Sequence, residues 1–373
     1  MLSNHLQVSD LGEKKLIERI IEKSKNIYND SKEGFFMDGS NDFYIGDDSA
    51  LIQLKSNNNS SYLVATSDLL IEKSHFPKQM SYFKMGKKAV TVNVSDLAAM
   101  GAKPLGILIS LAIPQNLKLS YFDELIDGIL DACSYYKIPL VGGDTNQSDQ
   151  IIISGTALGE VKKEKTLFKH GFDNGDLIAI TGELGLAALG FEIFNSKDSV
   201  KSIKNGLANK KIDKNMVDLA IEKALNPVAK INEGLILSDF ASSATDITDG
   251  LASELYELFN SKKNEDLNSE LGMVIYEDKL PILDKIAEVS KVLKINPLNV
   301  ILHTGEDFEL LFTIDKDNLD KLQELNKIKK NKFDFHIIGE VNNRDKVEIK
   351  DLNGNFNELS SRGYEHLIDL SLE

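Results

Sequence analysis

The chain of 373 residues carries 58 Asp and Glu against 43 Lys and Arg, a formal charge of −15, which excludes a protein that works by covering nucleic-acid phosphates with positive charge. With 42% hydrophobic and 27% charged residues it has the composition of a globular chain, and its length favours two domains. No leader-like start and no apolar run near the roughly 20 residues of a membrane helix are present, and the single cysteine, Cys133, leaves no internal disulfide; a cytoplasmic protein without nucleic-acid or membrane partners is expected.

Residues 11–27, LGEKKLIERIIEKSKNI, space apolar side chains among charges as an amphipathic helix does. Two strand-like runs follow, YIGDDSALIQL and SYLVATSDLL, joined by the turn chemistry of KSNNNSS, so a hairpin is expected. Residues 84–101 read as an apolar helix ending near Gly101, PLGILISLAIP as a buried strand, 121–137 as a helix with Cys133 on its apolar face, IPLVGGD as a strand entering a glycine turn, and QIIISGTALGEV as a further strand. The pattern changes near Thr166, predicting a division into residues 1–165 and 166–373. Beyond it, GDLIAITG reads as a strand, LGLAALGFEIF as a helix, and 213–240 as two helical stretches broken at Asn226-Pro227. SSATDITDGLASELYELF reads as strand, turn and helix, EDFELLFTI as a strand, 316–330 as a helix and FHIIGEV as a strand. The stretches 195–213 and 262–269 read as polar connections.

Aspartates recur where strands end or where a helix is otherwise apolar: GDD at 46–48, TSD at 66–68, NVSD at 93–96, GGDT at 142–145 and TDITDG at 245–250. Each alone is an ordinary turn or helix cap. Asp96 sets the reading of the group, because KAVTVNVSDLAAMG is apolar almost all round and a buried carboxylate is costly unless paired or metal-bound. No arginine occurs between Asp42 and Asp149 to pair with it. Hard carboxylates without Cys or paired His select Mg²⁺ or Mn²⁺, and Mg²⁺ held by few carboxylates completes its shell with water and phosphate oxygens. A nucleotide or phosphoester substrate is therefore expected. Walker A, kinase Gly-rich, GxSxG and HExxH motifs are all absent.

The segments IGDDSALI, ATSDLLIEKSHF, KAVTVNVSDLAAMGAKPLGILISLAIP, LVGGDTNQSDQIIISGTALGEV, GDLIAITGELGLAALG, ATDITDGLASEL, TGEDFELLFTI and RGYEHL, in this order, resemble the thiamine-monophosphate kinase family of the aminoimidazole-ribonucleotide-synthetase-like superfamily. The resemblance implies an α+β chain of two domains: an N-terminal sheet-and-helix domain that pairs as a barrel in a homodimer, and a C-terminal α/β sandwich. It implies ATP-dependent phosphorylation of thiamine monophosphate to thiamine diphosphate, with several Mg²⁺ ions. It carries metal ligation onto Asp47, Thr66, Ser67, Asp68, Asp96, Asp144, Asp246 and Asp249, ATP contact onto Tyr136, Gly143, Asp144, Lys169 and Thr248, and acceptor contact onto His75, Glu306 and Tyr364. Thr248 stands where the family has Ser and keeps the hydroxyl; Lys169 stands where it has Arg, keeping the charge but losing the bidentate fork. No general base is implied, since a phosphate monoester oxygen is already anionic. The alternatives are a superfamily enzyme with a different acceptor and a non-catalytic nucleotide-binding homologue.

Overall fold

The computed structural model describes residues 15, 19, 43–44, 47–53, 60–194, 196–281, 283–328, 334–361 and 363. Most of the helix expected at 11–27, the loop within KSNNNSS and Tyr364 lie outside them.

The hairpin forms as β2 (Ala50–Gln53) against β3 (Ser61–Ile71), and with β1 (Phe43–Tyr44), β4 (Lys103–Ile113), β5 (Leu140–Gln147) and β6 (Ile152–Lys162) it makes a six-stranded sheet in the order β1-β2-β3-β6-β4-β5. Every pairing is antiparallel except β4 with β5. The even residues of β3 face a helix, α1 (Tyr82–Ala99), with Val64, Thr66 and Leu70 buried beneath it, while Ser67 and Leu69 stay exposed on the opposite face. A period of two thus gives this sheet one covered and one open side.

α1 starts where Ser81 Oγ accepts the Lys84 N–H and stops where Gly101 turns left-handed (φ +66°). It crosses α2 (Leu119–Tyr136) almost backbone to backbone: a Cβ on Gly86 would lie 2.1 Å from the Leu125 carbonyl oxygen, and one on Gly128 1.9 Å from that of Phe83. Alanine at either position would push the two helices apart.

The second part of the chain contributes a seven-stranded sheet in the order β13-β12-β9-β11-β7-β10-β8, built from β7 (Leu177–Thr181), β8 (Ser243–Asp246), β9 (Gly272–Tyr276), β10 (Leu310–Ile314), β11 (Phe335–Asn342), β12 (Val347–Lys350) and β13 (Phe356–Glu358). Alternation along β10 splits its burial: Leu310, Phe312 and Ile314 join the core that contains α1, and Leu311 joins a second core on the far face. One apolar cluster therefore runs from the first sheet's helices into the second sheet, and the two halves share a cleft. The far face is covered by helices that include α3 (Leu186–Phe194), α4 (Lys197–Ala208), α5 (Lys214–Leu225) and α7 (Leu251–Glu265); α6 (Ile231–Leu237) packs on α1 instead.

Two expectations are corrected. Residues 195–213 are not merely a polar connection: α4 forms there, capped by Ser196 and burying Ile203. Its apolar stripe is narrow, which is why KDSVKSIKNGLANKK reads as polar. Likewise the first residues of 262–269 are the last turn of α7. Helix α8 (Leu283–Leu293) was not expected, although LDKIAEVSKVL spaces Leu283, Ile286, Val289 and Val292 as an amphipathic helix does; α9 (Pro297–His303), β9, β12 and β13 carry no signal beyond short apolar runs and were not expected either.

Candidate active site

Four segments deliver carboxylates to one place. Asp47 and Asp48 precede β2, Asp68 sits on the helix-covered face of β3, Asp96 is in the penultimate turn of α1, and Asp246 ends β8. Short contacts weave them together. Thr66 Oγ1 donates to Asp96 Oδ2, Ser95 Oγ donates to Asp246 Oδ2 at 2.5 Å, and Thr245 Oγ1 donates to Asp48 Oδ1 at 3.0 Å. Asp68 and Asp96 keep accessible surface because they line a cavity of about 1240 Å³ between the two halves of the chain.

Crowding shows in the proton affinities. Burial, then the charges of Asp68, Asp246 and Asp48, holds the Asp96 carboxyl well above the usual range. Burial, then Asp48, pushes Asp246 up to about 8; burial, then the balance of Lys169 against Asp47, leaves Asp48 at about 6, and burial alone takes Asp68 to about 6. Among the described residues one cation reaches the group. Lys169, itself buried, places Nζ 2.9 Å from Asp48 Oδ1 and 3.8 Å from Glu257, and its backbone N–H donates to Asp47 Oδ2 at 3.0 Å. Its neighbours overcome the lowering effect of burial and keep the ammonium charged.

A single ammonium does not balance Asp47, Asp48, Asp68, Asp96 and Asp246. Among the described residues Asp48 Oδ2 is buried without a hydrogen-bond partner. Among the described residues no three Asp, Glu, His or Cys side chains converge closely enough to enclose an ion unaided. That combination fits Mg²⁺, which needs few carboxylates when phosphate oxygens and water fill the rest of its octahedron, and does not fit a closed structural metal site.

The site residues expected from the sequence fall into three groups. Asp47, Thr66, Asp68, Asp96, Lys169 and Asp246 come together, and Thr248 and Asp249 line the same cavity. His75 and Glu306 line it as well, joined by Phe191 and Phe194 of α3 and Val200 of α4, which sequence reading did not single out. The rest are elsewhere. Ser67 turns its hydroxyl to the open face of the sheet, onto the Gly155 carbonyl (2.9 Å) and Thr156 (3.1 Å). Tyr136 is buried between α1 and the 226–230 segment, its hydroxyl hydrogen-bonded to Thr91 and accepting the Ala229 N–H at 3.0 Å, so it packs rather than lining the cavity. Gly143 has a structural reason of its own, since a Cβ there would lie 1.7 Å from the Ile109 carbonyl oxygen.

Asp144 is the largest departure. Register runs Asp68–Gly155–Ile109–Gly143 straight across β3, β6, β4 and β5. Three strand spacings put Asp144 on the order of 14 Å from Asp68. Its row, Leu69–Ser154–Ser110–Asp144, also points to the open face, and Asp144 is exposed. Within one chain it does not meet the other aspartates.

Sequence reading also missed Asp48, Glu254 and Glu257. Asp48 is the second acid of GDD; Glu254 is buried in the first turn of α7, where it accepts the Asp249 N–H at 3.1 Å, and Glu257 lines the cavity one turn later. Their signal was available as acids at i+5 and i+8 after Asp249, one face of the helix that follows TDITDG.

Comparison with known proteins gives a consistent picture. Residues 46–161 match the AIR synthase related protein N-terminal domain and residues 173–351 the corresponding C-terminal domain. The chain is 36% identical over 331 residues to the thiamine-monophosphate kinase of Pyrococcus abyssi, covering 88% of this chain and 93% of that one. It is 35% identical over 295 residues to that of Methanocaldococcus jannaschii, covering 77% and 85%. Among solved structures, AaThiL complexed with AMPPCP and TMP superposes with a TM-score of 0.76 at 28% identity, covering 98% of this chain and 100% of that chain. Thiamine-monophosphate kinase from Stenotrophomonas maltophilia gives 0.66 at 26% identity, covering 92% and 96%.

Proposed function

Because this chain belongs to the thiamine-monophosphate kinase family of AIR synthase related proteins, we propose that it transfers the γ-phosphoryl group of ATP directly to the phosphate of thiamine monophosphate, giving thiamine diphosphate and ADP. The observation that carries this reading is one cavity lined by two kinds of group: the carboxylates Asp68, Asp96 and Asp249, which suit cations and phosphate, and His75, Glu306, Phe191 and Phe194, which suit an organic acceptor. A relative with the same fold is known in complex with AMPPCP and TMP, two ligands that such a cavity has to hold side by side.

Asp48, Asp68, Asp96 and Asp246 would hold Mg²⁺, with Asp47, Thr66 and Asp249 as further ligands or supports. Bound there, divalent cations supply the positive charge that screens two phosphate groups from each other and stabilises the in-line transition state. The chain's own residues do the positioning. Lys169 neutralises the Asp48 corner and holds Asp47 through its backbone. Glu254 fixes the Asp249 backbone, and so the loop that carries Thr248. Glu306 offers negative charge to the thiazolium, and the aromatic wall offers it a π face. A phosphate monoester oxygen attacks the γ-phosphorus, the bond to the β,γ-bridging oxygen breaks, and ADP leaves; no protein base is required.

Purified protein incubated with ATP, Mg²⁺ and thiamine phosphate is expected to form thiamine diphosphate and ADP in equal amounts by chromatography. ADP without thiamine diphosphate would move the acceptor elsewhere, and ATP binding with neither product would make the protein a non-catalytic homologue.

The chain divides for this purpose near residue 166 and acts as a homodimer. The open face of the first sheet carries exposed Leu69, Leu108 and Val141, and its edge strand β5 is exposed throughout. A second copy covering that face would close the two sheets into a barrel and hide an apolar edge that single chains rarely leave free. It would also resolve the position of Asp144, with Gly143, by presenting them to the partner's acidic cluster. Chains carrying Asp68→Asn and chains carrying Asp144→Asn are each expected to be inactive alone. Mixed after partial unfolding and refolding, they should recover about a quarter of wild-type activity, because in a two-fold dimer half the mixed pairs' sites escape both lesions. No recovery would restrict Asp144 to its own chain.

A further inference from the structure

Lys88 is among the largest fully buried side chains, 1% exposed in the middle of α1, and nothing in the phosphoryl-transfer chemistry above uses it. Its ammonium ends on two groups, both belonging to residues that line the cavity. Nζ donates to the His75 carbonyl at 3.0 Å and to Glu306 Oε2 at 2.5 Å, the latter across the boundary between the two halves of the chain. Burying a lysine is expensive, and a methionine of similar volume would give a more stable helix contact. The charge therefore has to be explained by what it holds.

What it holds is strained. Glu306 lies in the left-handed region (φ +67°), as does Phe308 (φ +52°), a conformation that costs a non-glycine residue energy unless its surroundings enforce it. Two backbone bonds do part of this, Glu306 N–H to the Thr248 carbonyl at 2.8 Å and Phe308 N–H to that of Ile247 at 3.0 Å, which dock this loop on the loop that bears Asp249. Lys88 fixes the remaining freedom, the direction of the carboxylate. On the other side, the His75 ring is oriented by the Ile71 N–H, which donates to Nδ1 at 2.9 Å. Lys88, Val92 and Asp96 follow one another at four-residue steps, so one face of α1 carries both the cation on Glu306 and an acid of the cluster.

We propose that Lys88 is a positioning residue for the acceptor: it clamps Glu306 and the His75 backbone together from beneath, setting the thiamine phosphate subsite without touching the nucleotide. This rests on the reading of Glu306 as an acceptor-facing group. The test is steady-state kinetics on full-length Lys88→Met, Glu306→Gln and the double variant, with the KM of thiamine phosphate and of ATP measured separately and thermal unfolding recorded for each. Lys88→Met is expected to raise the KM of thiamine phosphate about tenfold or more, as Glu306→Gln does, leave that of ATP within about twofold, and add little in the double variant. Should Lys88→Met fail to fold, Lys88→Gln, which keeps a donor for the His75 carbonyl, is read for the same split. An unchanged KM for thiamine phosphate in a folded Lys88 variant, or an equal rise for both substrates, overturns the proposal. If Glu306→Gln moves that KM and the Lys88 variant does not, only this inference fails. If Glu306→Gln leaves it unchanged, the acceptor reading fails and the inference falls with it.

Discussion

Asp96→Asn is expected to lower the rate of thiamine diphosphate formation by about 10²- to 10³-fold, the scale of losing one preorganised electrostatic group, while leaving the protein's unfolding temperature unchanged or raised. The two readouts move apart for one physical reason. Asp96 is the carboxylate that the others crowd most, with Asp68, Asp246 and Asp48 all raising its proton affinity after burial has done so first. In the cation-free protein it is therefore a liability, either a desolvated charge or a proton bound against the solvent's preference. Asparagine removes the charge and keeps an oxygen to accept the Thr66 hydroxyl hydrogen bond. What it cannot do is help hold a divalent cation against phosphate. A substitution that only damaged packing would lower activity and stability together, so coincident losses in circular-dichroism melting and turnover would contradict the role assigned to Asp96.

Most of the fold's main elements were legible where periodicity was strong, α8 with its LDKIAEVSKVL spacing being the exception. α1 and α2, the strands on either side of them and the break at Asn226-Pro227 follow from apolar spacing and from proline's effect on the preceding residue. α4 was hidden because a helix that buries little beyond Ile203 and Gly206 differs only slightly from a polar linker. The strands β9, β12 and β13 span three to five residues, too few for alternation to register.

The aspartates of the site were legible as a group, because a carboxylate such as Asp96 inside an apolar helix demands a partner. One partner lies beyond the arginine-free stretch: Lys169 supplies one positive charge to Asp48. Asp144 shows the opposite limit. Its GGDT setting resembles the others, yet register across four strands carries it to the open face, and no local pattern encodes strand order. Lys88 is one of two lysines in GKKAV, and only its four-residue spacing from Val92 and Asp96 marks it as facing the same way.

The fold gathers carboxylates whose charge it does not itself neutralise, and the most direct test of that claim is thermal unfolding of the cation-free protein at pH 5 and pH 8, each with and without Mg²⁺. A carboxyl whose folded pKa is raised binds its proton more tightly in the folded chain than in the unfolded one, so stability falls as pH rises through the window between the two values. For Asp48 and Asp68 that window runs from 3.8 to about 6, and for Asp246 from 3.8 to about 8. The unfolding temperature is therefore predicted to be lower at pH 8 than at pH 5, with Mg²⁺ raising it at pH 8 and much less at pH 5, where protons already occupy the cluster. A temperature that holds steady or rises from pH 5 to pH 8, with no response to Mg²⁺ at either, would contradict the claim.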